Sequence, residues 1–417
     1  MTIPKNLGVL ASKVSSTGAV PVTQVSDTAN TSTGYLALPQ GTTGQRSGSP
    51  VNGMIRYNST NYSMEVYLRD SWVTLASNNP YTISTFGFKN RIINGAMVID
   101  QRNAGAAITT TGAYVVDRWF FNNASDATLS VQQSTDVPSG SGFKYSLRMT
   151  ATVGDATIGA AQYCNFQHRI EGYNFADTGF GASGASTVTL SFWVKATVVG
   201  NYSVALYNSA ENRIYPQQFS VLVSNTWEQK TITIAGDTSG TWLTTNGTGL
   251  QVTFYPALGS NFLGSSGWNA GGTFGVTGQS NAIASNANIF AITGVQLETS
   301  NQATPFDFRD YGRELILCQR YYYQTISNAT NATPTIYASS TNFTVGSIFP
   351  HPVTMRASPT ITVFGTWATN GTAATAPNID APNIQGYLAY VNGNNGTIAS
   401  TSFRPNSSGY LTVSAEL

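Results

Sequence analysis

Residues 187–195 read TVTLSFWVK. Val188, Leu190, Phe192 and Val194 fall on one side of an extended chain, with Thr187, Thr189, Ser191, Trp193 and Lys195 on the other. Successive side chains of a β-strand point to opposite faces, so this spacing predicts a half-buried antiparallel strand. Related runs recur at 202–207 (YSVALY), 219–223 (FSVLV), 230–234 (KTITI) and 250–254 (LQVTF). Gly, Asn, Ser and Pro punctuate them, and helical periodicity is nearly absent. The pattern predicts an all-β protein of tandem, jelly-roll-like β-sandwich domains.

Outward from that strand the chain divides into six segments. Residues 1–38 are polar and poor in aromatics. Residues 39–79 read as a small β-meander, with strands over 53–58, 63–68 and 72–76. Residues 80–89 are a linker, 90–308 the jelly roll, 309–329 a helical connector and 330–417 a second β-domain. A three-stranded unit of about 40 residues buries little, so the meander is expected to need a neighbour to complete its core. The convincing helix is DYGRELILCQRYYYQ at 310–324, where Leu315, Cys318 and Tyr322 share a face at i, i+3, i+7. That face packs either on its own chain or in a short parallel bundle about a symmetry axis. In the second case the three residues are the candidate trimer interface.

Composition removes many function classes. Only 9% of the 417 residues are charged and the formal net charge is +1, which argues against a nucleic-acid-coating protein. Two histidines, His168 and His351, and two cysteines, Cys164 and Cys318, leave little material for zinc sites, Cys/His nucleophiles or disulfide scaffolds. The cysteines form either one bridge or two buried thiols. The first 20 residues lack the apolar core of a signal peptide. No stretch approaches the ~18–20 apolar residues of a membrane helix, so membrane insertion is not expected.

The remaining motifs are weak. Gly179, Gly181 and Gly184 spell G-x-G-x-x-G, but a strand follows where the dinucleotide fingerprint needs a helix. Asp155, Asp177, Asp237, Asp307, Asp310 and Glu314 are the acids available for a paired-carboxylate glycosidase. Each has a simpler turn, capping or ion-pair role, so no catalytic residue is assigned and no enzyme is expected. A structural Ca²⁺ held by Asn94, Asp100 and Asp307 has no supporting motif, and no cofactor is implied. His168 reads as a strand residue and His351, between two prolines, as an extended loop. Trp119, Trp193 and Trp227 lie in strand-like contexts. Trp242 and Trp268 lie in polar loops, where an indole is costly to expose unless it meets a ligand or packs. Trp367, Tyr387 and Tyr390 pose the same choice, with 366–378 and 392–397 as candidate tips. These five aromatics are the candidate glycan contacts.

Three stretches carry a resemblance to phage tail-fibre and receptor-binding virion proteins, of the marine-phage type. They are GTTGQRSGSPVNGMIRYNSTNYSMEVYLRDSWVTL at 41–75, KNRIINGAMVIDQRNAG with VVDRWF closed by AITGVQLETSNQATPFDFRDYGRELILCQRYYY at 291–323, and FPHPVTMRASPTITVFG with a final VSAEL. Within the large domain YSLRM, FQHRIEG, TLSFWVKAT and ITGVQLE also resemble carbohydrate-binding-module jelly rolls. The resemblance implies a homotrimeric virion protein held to the tail or an adaptor through residues 1–38. Its distal domains would recognise a host-surface glycan or protein. The alternatives are a head or collar fibre that only decorates, a glycan-depolymerising tailspike, and a bacterial surface sugar-binding protein.

Overall fold

The computed structural model describes residues 38–77, 89–325, 336–337, 343–369, 372–374, 376–393, 400–401, 403–405 and 409–417. Most of the expected anchor (1–38) and linker (80–89), and much of the 392–397 tip, lie outside the described residues. The chain forms two units, Met1–Thr82 and Ile83–Leu417.

In the first unit, β1 (Gln40–Gly41), β2 (Ile55–Asn58), β3 (Ser63–Leu68) and β4 (Ser71–Ser77) make one sheet in sequence order. Arg69 and Asp70 both have positive φ, which gives the two-residue turn between β3 and β4 a twist suited to a hairpin. The sheet buries its polar face. Glu65 is 1% exposed, accepts from Arg46 at 2.6 Å and from Asn58 at 3.1 Å, and lies 3.4 Å from Arg56. Across the other face Ile55, Val66 and Val73 are cross-strand neighbours, and Ile55, Met64, Val73 and Leu75 are exposed.

The second unit is dominated by a β-sandwich of jelly-roll type. Its strands are β5 (Ala113–Val116), β6 (Trp119–Asn123), β7 (Thr128–Ser134), β8 (Ser146–Val153), β9 (Tyr163–Glu171) and β10 (Val188–Ala196). There follow β11 (Gly200–Tyr207), β12 (Ile214–Val221), β13 (Glu228–Ile234), β14 (Thr248–Leu258) and β17 (Ile289–Thr299), with a two-residue pair β15 (Leu263–Gly264) and β16 (Gly275–Val276) in a loop. One sheet has the order β13-β10-β17-β8-β7, the other β12-β11-β14-β9-β6-β5. Both are antiparallel throughout.

Val188, Leu190, Phe192 and Val194 of β10 all point into the core, as their alternation predicts. Phe192 packs on Phe254 at 4.9 Å and Phe219 at 5.0 Å, both from the opposite sheet. Ser191 and Thr189 are buried too, because the segment after β17 folds over this outer face and Thr189 donates to Ser300 O at 2.8 Å. In β17 the core positions run 290, 292, then 295, 297. The slip occurs at Gly294, with φ of 59°, opposite a register shift in β10. It is a β-bulge that needs glycine, since a Cβ there would lie 2.5 Å from Phe143.

The helix α1 spans Tyr311–Gln319, shorter than the 310–324 expected. Asp310 caps it by accepting from Arg313 N at 2.9 Å. Tyr322 leaves the helix for β18 (Tyr322–Gln324), consistent with the strand preference of aromatic residues. Cys318 packs with Ile93, Ile99 and Tyr321, with Leu315 partly buried beside them. Tyr322 lies under the Arg102 guanidinium, 3.6 Å from its ring centre. The expected trimer-interface residues thus have partners within the chain. Cys164 and Cys318 are separate buried thiols.

The last domain comprises β19 (Ile336–Tyr337), β20 (Phe343–Pro350), β21 (Thr360–Phe364), β22 (Trp367–Thr369), β23 (Thr372–Ala374) and β24 (Asn378–Asp380). It continues with β25 (Gly386–Gly393), β26 (Ser400–Thr401), β27 (Phe403–Pro405) and β28 (Tyr410–Ser414). Two of its sheets, β18-β28-β21 and β20-β25-β24, enclose Tyr323, Met355, Trp367, Tyr387, Leu411 and Val413.

Candidate functional site

Along β9, Cys164, Phe166, His168 and Ile170 point inward or lie fully covered, which leaves Tyr163, Asn165, Gln167 and Arg169 on the outer face of the six-stranded sheet. Register places them beside outward residues of neighbouring strands. One row runs Ala205, Thr253, Gln167, Phe120, and the next Tyr207, Gln251, Arg169. The loop through β15 and β16 brings Phe262 and Phe274 over one end. Tyr163, Asn165, Gln167, Arg169, Tyr207, Phe262 and Phe274, with Asn122, Tyr255, Leu258 and Glu211, line a groove of about 280 Å³.

The groove combines aromatic walls with uncharged hydrogen-bonding groups. Tyr163 meets Phe262 edge-on at 5.8 Å, and Tyr207 meets Phe274 edge-on at 5.4 Å. Gln167 Nε2 donates to Tyr207 Oη at 2.6 Å, and Tyr207 Oη lies 2.9 Å from Thr253 Oγ1. Arg169 Nε donates to Gln167 Oε1 at 2.9 Å and Gln251 Oε1 at 3.3 Å. Burial, the largest cause, pushes the Tyr207 and Tyr255 phenols above their ordinary range, so both remain neutral at physiological pH. Glu211 is the one carboxylate on the lining.

The sequence-selected aromatics lie elsewhere. Trp242 is 7% exposed and forms a ring cluster with Phe180 at 5.0 Å and Trp268 at 5.6 Å. Their indole N–H groups donate to Ser239 O at 3.1 Å and Ala235 O at 2.9 Å. Both side chains pack internally, one of the two roles their loops left open. Trp367 and Tyr387 belong to the core of the last domain at 4% and 3% exposure, while Tyr390 is half-buried on β25. None of the five lines the groove. The sequence signal for the groove is the alternation in YCNFQHR at 163–169, whose outward positions are aromatic, amide or basic.

The acids are occupied. Asp177 pairs with Arg91 at 2.5 Å, Asp237 with Arg213 at 2.7 Å and Glu314 with Arg309 at 3.3 Å. Asp155 accepts from Asp126 N and Thr157 N, both at 3.2 Å, and Asp307 lies 3.9 Å from Arg309. Asp100 closes a loop through Asn103 N and Gly105 N, and the Asn94 amide binds Ile99 and Asp117 backbone atoms. Asn94 Oδ1 accepts from Ile99 N at 3.0 Å, so two of the three side chains suggested for Ca²⁺, Asn94 and Asp100, have their oxygens engaged by protein donors. Among the described residues no group of three His, Cys, Asp or Glu side chains converges. His351 is buried, with Nδ1 2.8 Å from Tyr323 Oη and Nε2 2.8 Å from Asn383 O. It lies in the loop after the strand that ends at Pro350, as expected, and is buried there in a packed junction.

No family model and no curated protein matches the sequence. Solved structures do. The enzymatically active domain of bacteriophage CBA120 tailspike protein 4 is 13% identical over 46% of this chain and 21% of that one, with a TM-score of 0.28. The N-terminal cellulose-binding domain of Cellulomonas fimi β-1,4-glucanase C is 14% identical over 46% of this chain and 99% of its own, with a TM-score of 0.24. The family 11 carbohydrate-binding module of Lic26A-Cel5E from Clostridium thermocellum is 10% identical over 48% and 98%, with a TM-score of 0.25.

Proposed function

We propose that the protein is a non-catalytic phage fibre component that recognises carbohydrate on the host surface, with a neutral glycan lying in the groove of the six-stranded sheet. The groove's composition carries this reading. A sugar ring offers apolar C–H faces and a rim of hydroxyls. Tyr163, Phe262 and Phe274 supply apolar surface, while Asn122, Asn165 and Gln167 supply uncharged donors and acceptors. Binding is favoured over cleavage because hydrolysis by the usual route needs two suitably spaced carboxyls and the lining supplies Glu211 alone.

The virion setting, with tail attachment through residues 1–38 and three copies per particle, rests on the sequence resemblance. It is supported by the uncharged face of Ile55, Met64, Val73 and Leu75, which a second and third copy would cover. Calorimetric titration with neutral oligosaccharides tests the glycan site: binding by the native chain, lost in Tyr163→Ala and Asn165→Ala, is the expected result. Binding that survives both substitutions would remove the groove from the reading. Light scattering that finds a stable monomer would remove the trimer.

A further inference from the structure

We propose that residues 415–417 set the hydrogen-bonding state of the groove through Arg169, making the last β-domain a working part of the ligand site. The inference rests on the glycan reading of the groove.

After β28 the chain returns to the sandwich. Ala415 N donates to Tyr321 O at 2.7 Å. Arg356 donates to Ala415 O at 2.7 Å and Glu416 O at 2.9 Å, and through its other nitrogen to Asn246 O at 2.7 Å. The Glu416 carboxylate receives Arg102 at 2.8 Å and also Arg118. Leu417 O then accepts from Nη1 of Arg169, whose Nε is bonded to Gln167 on the groove lining and to Gln251 beside it on β14.

Arginine has donors and no acceptor, whereas a glutamine amide has one end of each kind. Arg169 therefore obliges Gln167 and Gln251 to turn their oxygens toward it. The Gln167 nitrogen is left facing Tyr207 Oη, which accepts it, 2.9 Å from Thr253 Oγ1. The order of donors and acceptors is thus fixed from Leu417 through Arg169 to the Gln167 nitrogen on the groove. Without the 415–417 strap, Arg169 loses an anchor, the Gln167 amide loses the donor that orients it and Gln251 keeps only its bond to Asn208 O, and a sugar hydroxyl meets a mixture of donor patterns. Arg169 is a positioning residue, and the linkage is reciprocal: a bound sugar that uses the ordered amides must also hold the strap in place.

The test uses the full chain with Glu416→Gln and the milder Arg356→Met, neither on the groove lining, after near-UV circular dichroism has confirmed folding. The side-chain amide signals of Gln167 and Gln251 are followed by NMR, and affinity is measured for cellohexaose, xylohexaose and β-1,4-galactotriose. Expected are shifted, faster-exchanging amides in both variants and sugar binding weakened by about 5- to 150-fold. Unchanged amide signals, or altered amides with undiminished affinity, would overturn the proposal. Amides that respond in a protein whose native form takes none of the three sugars would uphold the strap's control of the amides and count against the glycan reading instead. Should both variants unfold, slower backbone exchange at 415–417 when sugar is added to the native chain is the expected result, and no slowing overturns the coupling.

Discussion

The guanidinium of Arg118 is paired with the carboxylate of Glu416, 298 positions further along the chain. Arg118 is 2% exposed, donates to Arg169 O at 2.6 Å and lies 3.6 Å over the Tyr321 ring. Removing the carboxylate leaves a buried cation uncompensated. Glu416→Gln is expected to cost about 3–5 kcal/mol in urea denaturation. The double change Arg118→Met with Glu416→Leu should cost less than the single one, since it removes both charges. A double variant worse than Glu416→Gln would show that the pair itself, rather than the orphaned charge, dominates.

Acid sensitivity follows from His168. Its ring is fully buried against Trp119 at 5.2 Å, with Nε2 3.0 Å from Ile93 O. Burial first, then the positive charges of Arg118 and Arg309, hold its pKa well below 6.5. A depressed folded pKa means the contribution is whole above about pH 6.5 and disappears as the pH falls and the unfolded ring takes up its proton. Asp117 runs the other way: burial raises it to about 6, so its contribution is whole below its ordinary 3.8 and lost as pH rises through about 6. Comparing native chain with His168→Gln separates the two. The variant should lose less stability between pH 7 and pH 5, and parallel melting curves across that range would count against the assignment.

Trp242 and Tyr163 should respond oppositely. Trp242→Ala empties a core position and is expected to cost about 3–5 kcal/mol, with sugar affinity per folded molecule unchanged. Tyr163 is half-buried on the groove, and Tyr163→Ala should reduce affinity with a smaller stability loss. A fall in affinity for folded Trp242→Ala would return that indole to the ligand site.

Gly294→Ala introduces a methyl 2.5 Å from Phe143 Cζ and 3.1 Å from Trp193 Cδ1. Overpacking costs about 1–3 kcal/mol, and the left-handed backbone about 1–2 kcal/mol more. In a Phe143→Ala background the closest clash disappears and only the 3.1 Å approach to Trp193 Cδ1 remains, so the substitution should be cheaper there. Equal costs in both backgrounds would assign the effect to the backbone and the Trp193 approach.

What the sequence determined by itself was local. The period-2 pattern of TVTLSFWVK selects the buried face of β10, and Asp310 starts α1, because side-chain alternation and capping depend only on near neighbours. Tertiary structure decided which strands lie side by side. Tyr163, Tyr207 and Tyr255 share a groove because β9, β14 and β11 pair in that order, a register no short stretch encodes. The same holds for Glu416 in the closing VSAEL, whose carboxylate meets Arg118 only after the sandwich has formed. Trp242 and Trp268 sit in polar loops that left ligand contact and packing both open, and ring packing with Phe180 and Tyr215 decides for packing. Local pattern fixes which way a side chain faces; long-range pairing alone fixes what it faces.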